Sequence, residues 1–231
     1  NIGSKLIKEI VLETIERGGV LMIPTFSLER SQVILYYLNN LIESGEVPEI
    51  PVFLDSPLAI KMTEIFRKNV QYFRDDVKKQ IMGGDDIFDF PKLTFTESVD
   101  DSKAIASVKS PKIILAGNGM STAGRILHHE KFFLGGAKNT LLVVGYQAQG
   151  SIARQIMDGA KTVRIHHKDV KANAHVHEIT AFSAHADQRQ LRHFVNSKVK
   201  NKPTKVFIVQ GEEEPATALG EKLTEDGFDV V

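Results

Sequence analysis

"GGVLMIPTFSLERSQVILYYL", residues 18–38, carries the reading on which the rest depends. Gly18-Gly19 is a helix stop signal and closes a helical pattern at about residues 4–17, in which Ile7, Ile10, Val11 and Ile15 recur at helical spacing. The run "GVLMIPTF" that follows is too short and too β-branched to be another helix. It predicts a strand, and a helix should follow from about Leu28 to Ser44.

The same pairing repeats along the chain. "PVFLDSP" predicts a second strand, followed by a helix from about Leu58 to Met82; "LTFTES" and "KIILAGNGM" predict a third and a fourth. "AGRILHHEKFFL" reads as helix, "TLLVVGYQ" as a fifth strand and "SIARQIMD" as helix. Continuous apolar strands alternating with helices imply an α/β fold, with a mostly parallel sheet covered on both faces. After Gly159 the texture changes: "TVRIHH" and "AHVHEITAF" alternate apolar and polar residues, which predicts half-exposed antiparallel strands in a tail that is a separate structural unit or part of one. A helix from about Gln188 to Ser197, a strand "KVFIVQG" and a helix from about Pro215 to Asp226 complete the pattern.

The bulk properties are those of a globular chain of one large or two small domains: 231 residues, 42% hydrophobic and 25% charged. Lys plus Arg equals Asp plus Glu at 29 each, so no global field favours a polyanion, although a local basic groove remains compatible with a neutral total. The absence of cysteine excludes disulfides and thiolate metal sites and fits a reducing, cytoplasmic setting. No apolar run approaches the roughly 20 residues of a membrane helix, so no membrane partner is expected. The chain opens inside a helical pattern, as a fragment of a longer protein would.

Ligands of open parallel sheets bind beyond the carboxyl ends of the strands. Here those ends read "PTFSLER", "LDSPLA", "AGNGMSTAGR" and "GYQAQGS", small or hydroxyl residues leading into helices. Such turns present unpaired N–H groups and the positive end of a helix dipole to an anion. Ser27, Ser56, Asn118, Gly119, Ser121 and Gln147 are the candidate phosphate contacts, with Arg30 and Arg125 adding charge. Ordinary capping and turn chemistry is the competing reading.

Of the histidines, adjacent His128 and His129 point about 100° apart on a helix and suit packing or surface roles. His166, His167, His175 and His177 fall on strands; His175 and His177 share a face but have no clear third ligand there. His193 sits within a helix without a motif. His185 lies at a strand-to-helix junction among Ser183, Ala184 and Ala186, and Asp187 suits a helix N-cap.

"IPTFSLERSQVILYYL", "VFLDSPLA", "AGNGMSTAGRILHH", "VGYQAQGSIARQI", "FSAHADQRQL" and "VFIVQGEEE" resemble, in order, segments of the β-CASP branch of the metallo-β-lactamase fold, a branch of RNA-processing nucleases. The resemblance implies a β-CASP domain, a Rossmann-like sheet flanked by helices, at residues 18–180. Residues 1–17 and 181–231 would belong to the metallo-β-lactamase αββα domain. It further implies zinc-dependent RNA hydrolysis with two zinc ions, single-stranded RNA as partner, and His185 as the histidine that assists protonation of the leaving ribose oxygen.

Two departures from the family pattern stand out. The H-x-H-x-D-H zinc signature is absent from these residues. At the final zinc-ligand position, where the family has V-H-G-E, this chain reads "VQGE", which puts Gln210 in the ligand's place. The expectation is therefore no bound metal and at most RNA binding for this chain. A catalytically degenerate RNA-binding or scaffold relative is the alternative. A nucleotide-binding α/β domain is a weaker third reading, and a homodimer is left open.

Overall fold

A computed structural model describes residues 2–183, 185–198 and 205–231, so Asn1 and Ala184 lie outside the described residues. It divides into two compact units, Asn1–Phe182 and Ser183–Val231.

The first unit opens with helix α1 (Ile2–Glu16) and runs through β1 (Val20–Pro24), α2 (Arg30–Glu43), β2 (Val52–Asp55) and α3 (Pro57–Lys68). It continues with α4 (Asp75–Met82), β3 (Leu93–Phe95), α5 (Val99–Ala104), β4 (Lys112–Ala116) and α6 (Ile126–Phe133). β5 (Thr140–Val143), α7 (Ile152–Met157), β6 (Thr162–Ile165), β7 (Lys168–Lys171) and β8 (His175–Glu178) complete it. The main sheet has the order β3-β2-β4-β1-β5-β8, and every neighbouring pair in it is parallel. This is the α/β fold with a mostly parallel sheet that the alternation predicted.

Period two divides each central strand between two cores. Leu21 and Ile23 of β1 join Ile7 of α1 and Leu35 and Leu38 of α2 on one face. Val20 and Met22 join Ile114 of β4, Ile126 of α6 and Ile156 of α7 on the other. Both faces are thus covered, and the strands read as unbroken apolar runs for that reason.

Two expectations change in the first unit. The helix expected from Leu58 to Met82 ends at Lys68, makes a short 3₁₀ turn at Val70–Tyr72, and resumes at Asp75. The rings of Phe66, Phe73 and Phe88 pack with centroids 6.1–6.3 Å apart, a cluster that joins α3 to the segments on either side of α4. The strand at His175–Glu178 is parallel to β5, where an antiparallel strand was expected. Alternation reports burial on one side, and an edge strand shows it in either direction. The two compact units divide at Phe182, so the segment after Gly159 up to that point belongs to the first unit. The β6–β7 hairpin buries Val163 and Ile165 in the same core as Met22, which ties it to the first unit.

The second unit contains α8 (Gln188–His193), one π-helical turn (Phe194–Lys198) and α9 (Glu213–Glu225). Asp187 caps α8 by accepting the Gln190 N–H at 2.7 Å, within a full capping box. The strand expected at "KVFIVQG" is reduced to a parallel bridge between Val206 and Val230. No helix among the described residues is long and apolar enough to cross a membrane.

Candidate functional site

Because β1, β2, β4 and β5 are parallel, the loops that follow them leave one edge of the sheet. A cleft of about 770 Å³ opens there, lined by Phe26, Ser27, Ser56, Leu58, Asn118 and Arg125 among others. Ser27 and Ser56 face each other with hydroxyls 3.3 Å apart, and Gly117 lies beside both. Ser56 is the N-cap of α3, accepting the Ala59 N–H at 3.2 Å, with Pro57 at the first helical position.

The walls are less polar than the motifs suggested. Phe26 leaves 43% of its surface exposed, and Leu28 and Leu58 are also exposed at the cleft. The Phe26 ring lies against Gly119, where a Cβ would come within 2.8 Å of it. The glycine there serves ring packing.

Beneath the cleft, Asp55 at the end of β2 is fully buried. Its Oδ1 accepts bonds from Thr96 Oγ1 at 2.7 Å and Arg125 Nη1 at 2.8 Å. Its Oδ2 accepts from Ser102 Oγ at 2.6 Å and lies 2.7 Å from His129 Nε2. Burial pushes this carboxyl up, but the bonds from His129, Ser102, Thr96 and Arg125 together outweigh it and hold the group down at about 2. Arg125 also donates to Thr96 O at 2.9 Å and Glu97 O at 2.7 Å. It lines the cleft while being held from below.

The remaining predicted contacts have internal partners. Arg30 donates to the Phe182 carbonyl and sits over the Phe182 ring, 5.8 Å from its centroid; burial lowers its pKa. Ser121 is fully buried and donates to Glu130. Gln147 is buried and donates to Gly119 O at 2.9 Å and Gly145 O at 3.0 Å, lacing the loops after β4 and β5 together. Glu130 is enclosed with one oxygen lacking a partner; burial pushes its carboxyl up to about 8, against the lowering effect of Ser121. Sequence reasoning missed Phe26, Asp55 and Glu130 as organisers. The available signal was an aspartate closing the apolar run "VFLD", since a charge at a buried position demands partners. His129, expected to pack or lie at the surface, is buried and belongs to this network.

In the second unit, His185 is exposed just ahead of α8, and its backbone N–H donates to Ser183 Oγ at 3.3 Å. Gln210 is exposed ahead of α9 with a positive φ of 61°. Among the described residues, no group of three or more His, Cys, Asp or Glu side chains is placed to hold a metal ion.

The family described as "Beta-Casp domain" matches residues 31–156. The chain belongs to the β-CASP family of metallo-β-lactamase-fold ribonucleases. Residues 169–231 match a second description, "Zn-dependent metallo-hydrolase RNA specificity domain". Ribonuclease TTHA0252 of Thermus thermophilus is 37% identical over 96% of this chain and 50% of its own length. Transcription termination factor FttA of Methanosarcina mazei is 33% identical over 95% of this chain and 35% of its own. An RNase J-like protein of Methanocaldococcus jannaschii is 32% identical over 90% of this chain and 46% of its own. The chain therefore spans half or less of the length of these β-CASP relatives. The second description names zinc, but the described residues do not supply a cage for it.

Proposed function

We propose that this chain is the RNA-holding part of a β-CASP ribonuclease, and that single-stranded RNA lies in the cleft at the strand ends. The observation that carries the reading is the cleft itself. Facing hydroxyls of Ser27 and Ser56 stand at the N-terminus of a 12-residue helix, and an exposed Phe26 ring stands beside them. Hydroxyls and a helix N-terminus suit a phosphate; the ring and the apolar wall suit an unstacked base. Arg125 adds positive charge in the cleft lining, but its bond to Asp55, like that of Arg30 to Phe182 O, makes it a positioning group first.

Hydrolysis is not assigned to these residues alone. The family's two zinc ions would supply an activated water and charge stabilisation when bound, yet no described cluster here holds them. His185, exposed ahead of α8, is the group we assign to protonating the leaving oxygen in an intact enzyme. Gln210 supports a second reading, a catalytically degenerate RNA-binding relative, because an amide oxygen is a poor zinc ligand beside imidazole.

Anisotropy titration of the chain with labelled single-stranded RNA tests the proposal. Binding that weakens with salt, without cleavage when zinc is added, is the expected result. RNA hydrolysis by this chain alone would overturn the assignment of chemistry elsewhere. No binding at low salt would overturn the cleft's role.

A further inference from the structure

The β6–β7 hairpin carries a charge imbalance that the strand-end cleft does not use. Residues 161–171, "KTVRIHHKDVK", hold Lys161, Arg164, Lys168 and Lys171 against the single acid Asp169, in a chain whose total charge is zero. All four cationic residues are exposed, and among the described residues none of their side chains makes an ion pair. Cross-strand register places Arg164 opposite Asp169 and Thr162 opposite Lys171 on the outer face, while Val163 and Ile165 point into the core. The turn residues His166 and His167 are exposed with φ of 47° and 61°, and the His166 ring stacks on His128 of α6 with centroids 4.9 Å apart. This stack clamps the hairpin tip to the helix. The positive surroundings register on His128: burial comes first in lowering its pKa, and His166, His129 and Lys131 lower it further.

We infer that this ribbon is a second RNA-backbone contact, outside the strand-end cleft, which holds the phosphates of a longer single strand. The inference rests on RNA being the ligand of the cleft. At physiological salt charges are screened beyond about 8 Å, so acids elsewhere in a neutral protein do not cancel a local excess at contact range. The ribbon exposes no large apolar side chain: Val163 and Ile165 are buried and Val170 is half-buried. It therefore lacks the anchors of a membrane-inserting surface or of a protein hot spot, and it offers what a phosphate chain needs, unpaired cations on a rigid frame. Arg164 can fork to one phosphate, and the exposed His167 imidazole at the tip can stack on a base.

The test is the variant Arg164→Gln, Lys168→Gln, Lys171→Gln, whose sites are all exposed. Its thermal midpoint should match that of the parent chain. Binding of an oligouridine of about 20 nucleotides should weaken, with the salt slope shallower by about 2, as loss of three phosphate contacts to a single strand requires. An oligomer of about six nucleotides, short enough to occupy the cleft alone, should bind both proteins equally. Equal affinity and slope for the long RNA would overturn the inference and leave the cleft reading standing. No binding of either RNA by the parent chain would overturn both. Loss of binding to phosphatidylserine vesicles with RNA binding unchanged would assign the ribbon to a membrane surface, and would overturn it too.

Discussion

Asp55 Oδ2 and His129 Nε2 lie 2.7 Å apart, joining the end of one sheet strand to a helix that begins 71 residues later at Ile126. With Arg125, Ser102 and Thr96 on the same carboxylate, this contact forms the floor under the strand-end cleft. One buried charge thus ties the end of β2 to the loop after β3, to α5 and to the start of α6.

Replacing Asp55 with Asn keeps the shape and removes the charge. The loss should be about 3–5 kcal/mol, as when one partner of a buried pair is removed, measured by urea denaturation. The folded carboxyl titrates near 2, below its usual 3.8, so the unfolded chain binds more protons between those values. The stabilisation is present above about pH 4 and is lost as pH falls towards 2, with a size of about 2 kcal/mol. Asp55→Asn should lack this acid-sensitive component. An identical acid profile in parent and variant would remove the network from the stability account.

Glu130 shifts the other way. Its folded carboxyl titrates near 8, above the usual 4.5, so the folded chain holds the extra proton between these values. Stability from this group therefore declines as pH rises from about 4.5 to 8. Glu130→Gln keeps a neutral side chain at every pH, so its stability relative to the parent should improve between pH 6 and pH 9. The same difference at both pH values would mean that the carboxyl stays ionised or exposed.

At the cleft, Phe26→Ala should weaken single-stranded RNA binding by about 1–3 kcal/mol through lost base stacking, with the salt slope unchanged. Arg30→Ala should make the slope shallower by about 0.7 if its guanidinium meets a phosphate. An unchanged slope would leave Arg30 with its Phe182 contact alone.

Zinc titration of this chain should show no stoichiometric uptake, and Gln210→His should not create it, because a zinc site needs several strong ligands together. In a longer protein that supplies the family's other histidine and aspartate ligands, the same substitution should raise zinc content and RNA cleavage. Equal content and activity there would show that position 210 is not a ligand, and the degenerate-subunit reading would lose its support.

What the sequence determined by itself was the order and kind of the central elements. "VLMI", "VFL", "IILA" and "LLV" are apolar without interruption because both faces of a parallel sheet are covered, and that burial is written locally in each run. The Asp187 cap was legible for the same reason, since its bond reaches only to Gln190. Tertiary structure decided everything that depends on distant partners. The direction of β8, the break of the helix after Lys68 and the single carboxylate shared by Thr96, Ser102, Arg125 and His129 all arise from such contacts. So did the division of the strand-end loops, where Ser121 and Gln147 turn inward to internal bonds while Ser27 and Ser56 face the cleft. A sequence names the residues that can hold a phosphate; which of them remain free to do so is settled by the neighbours that claim the others first.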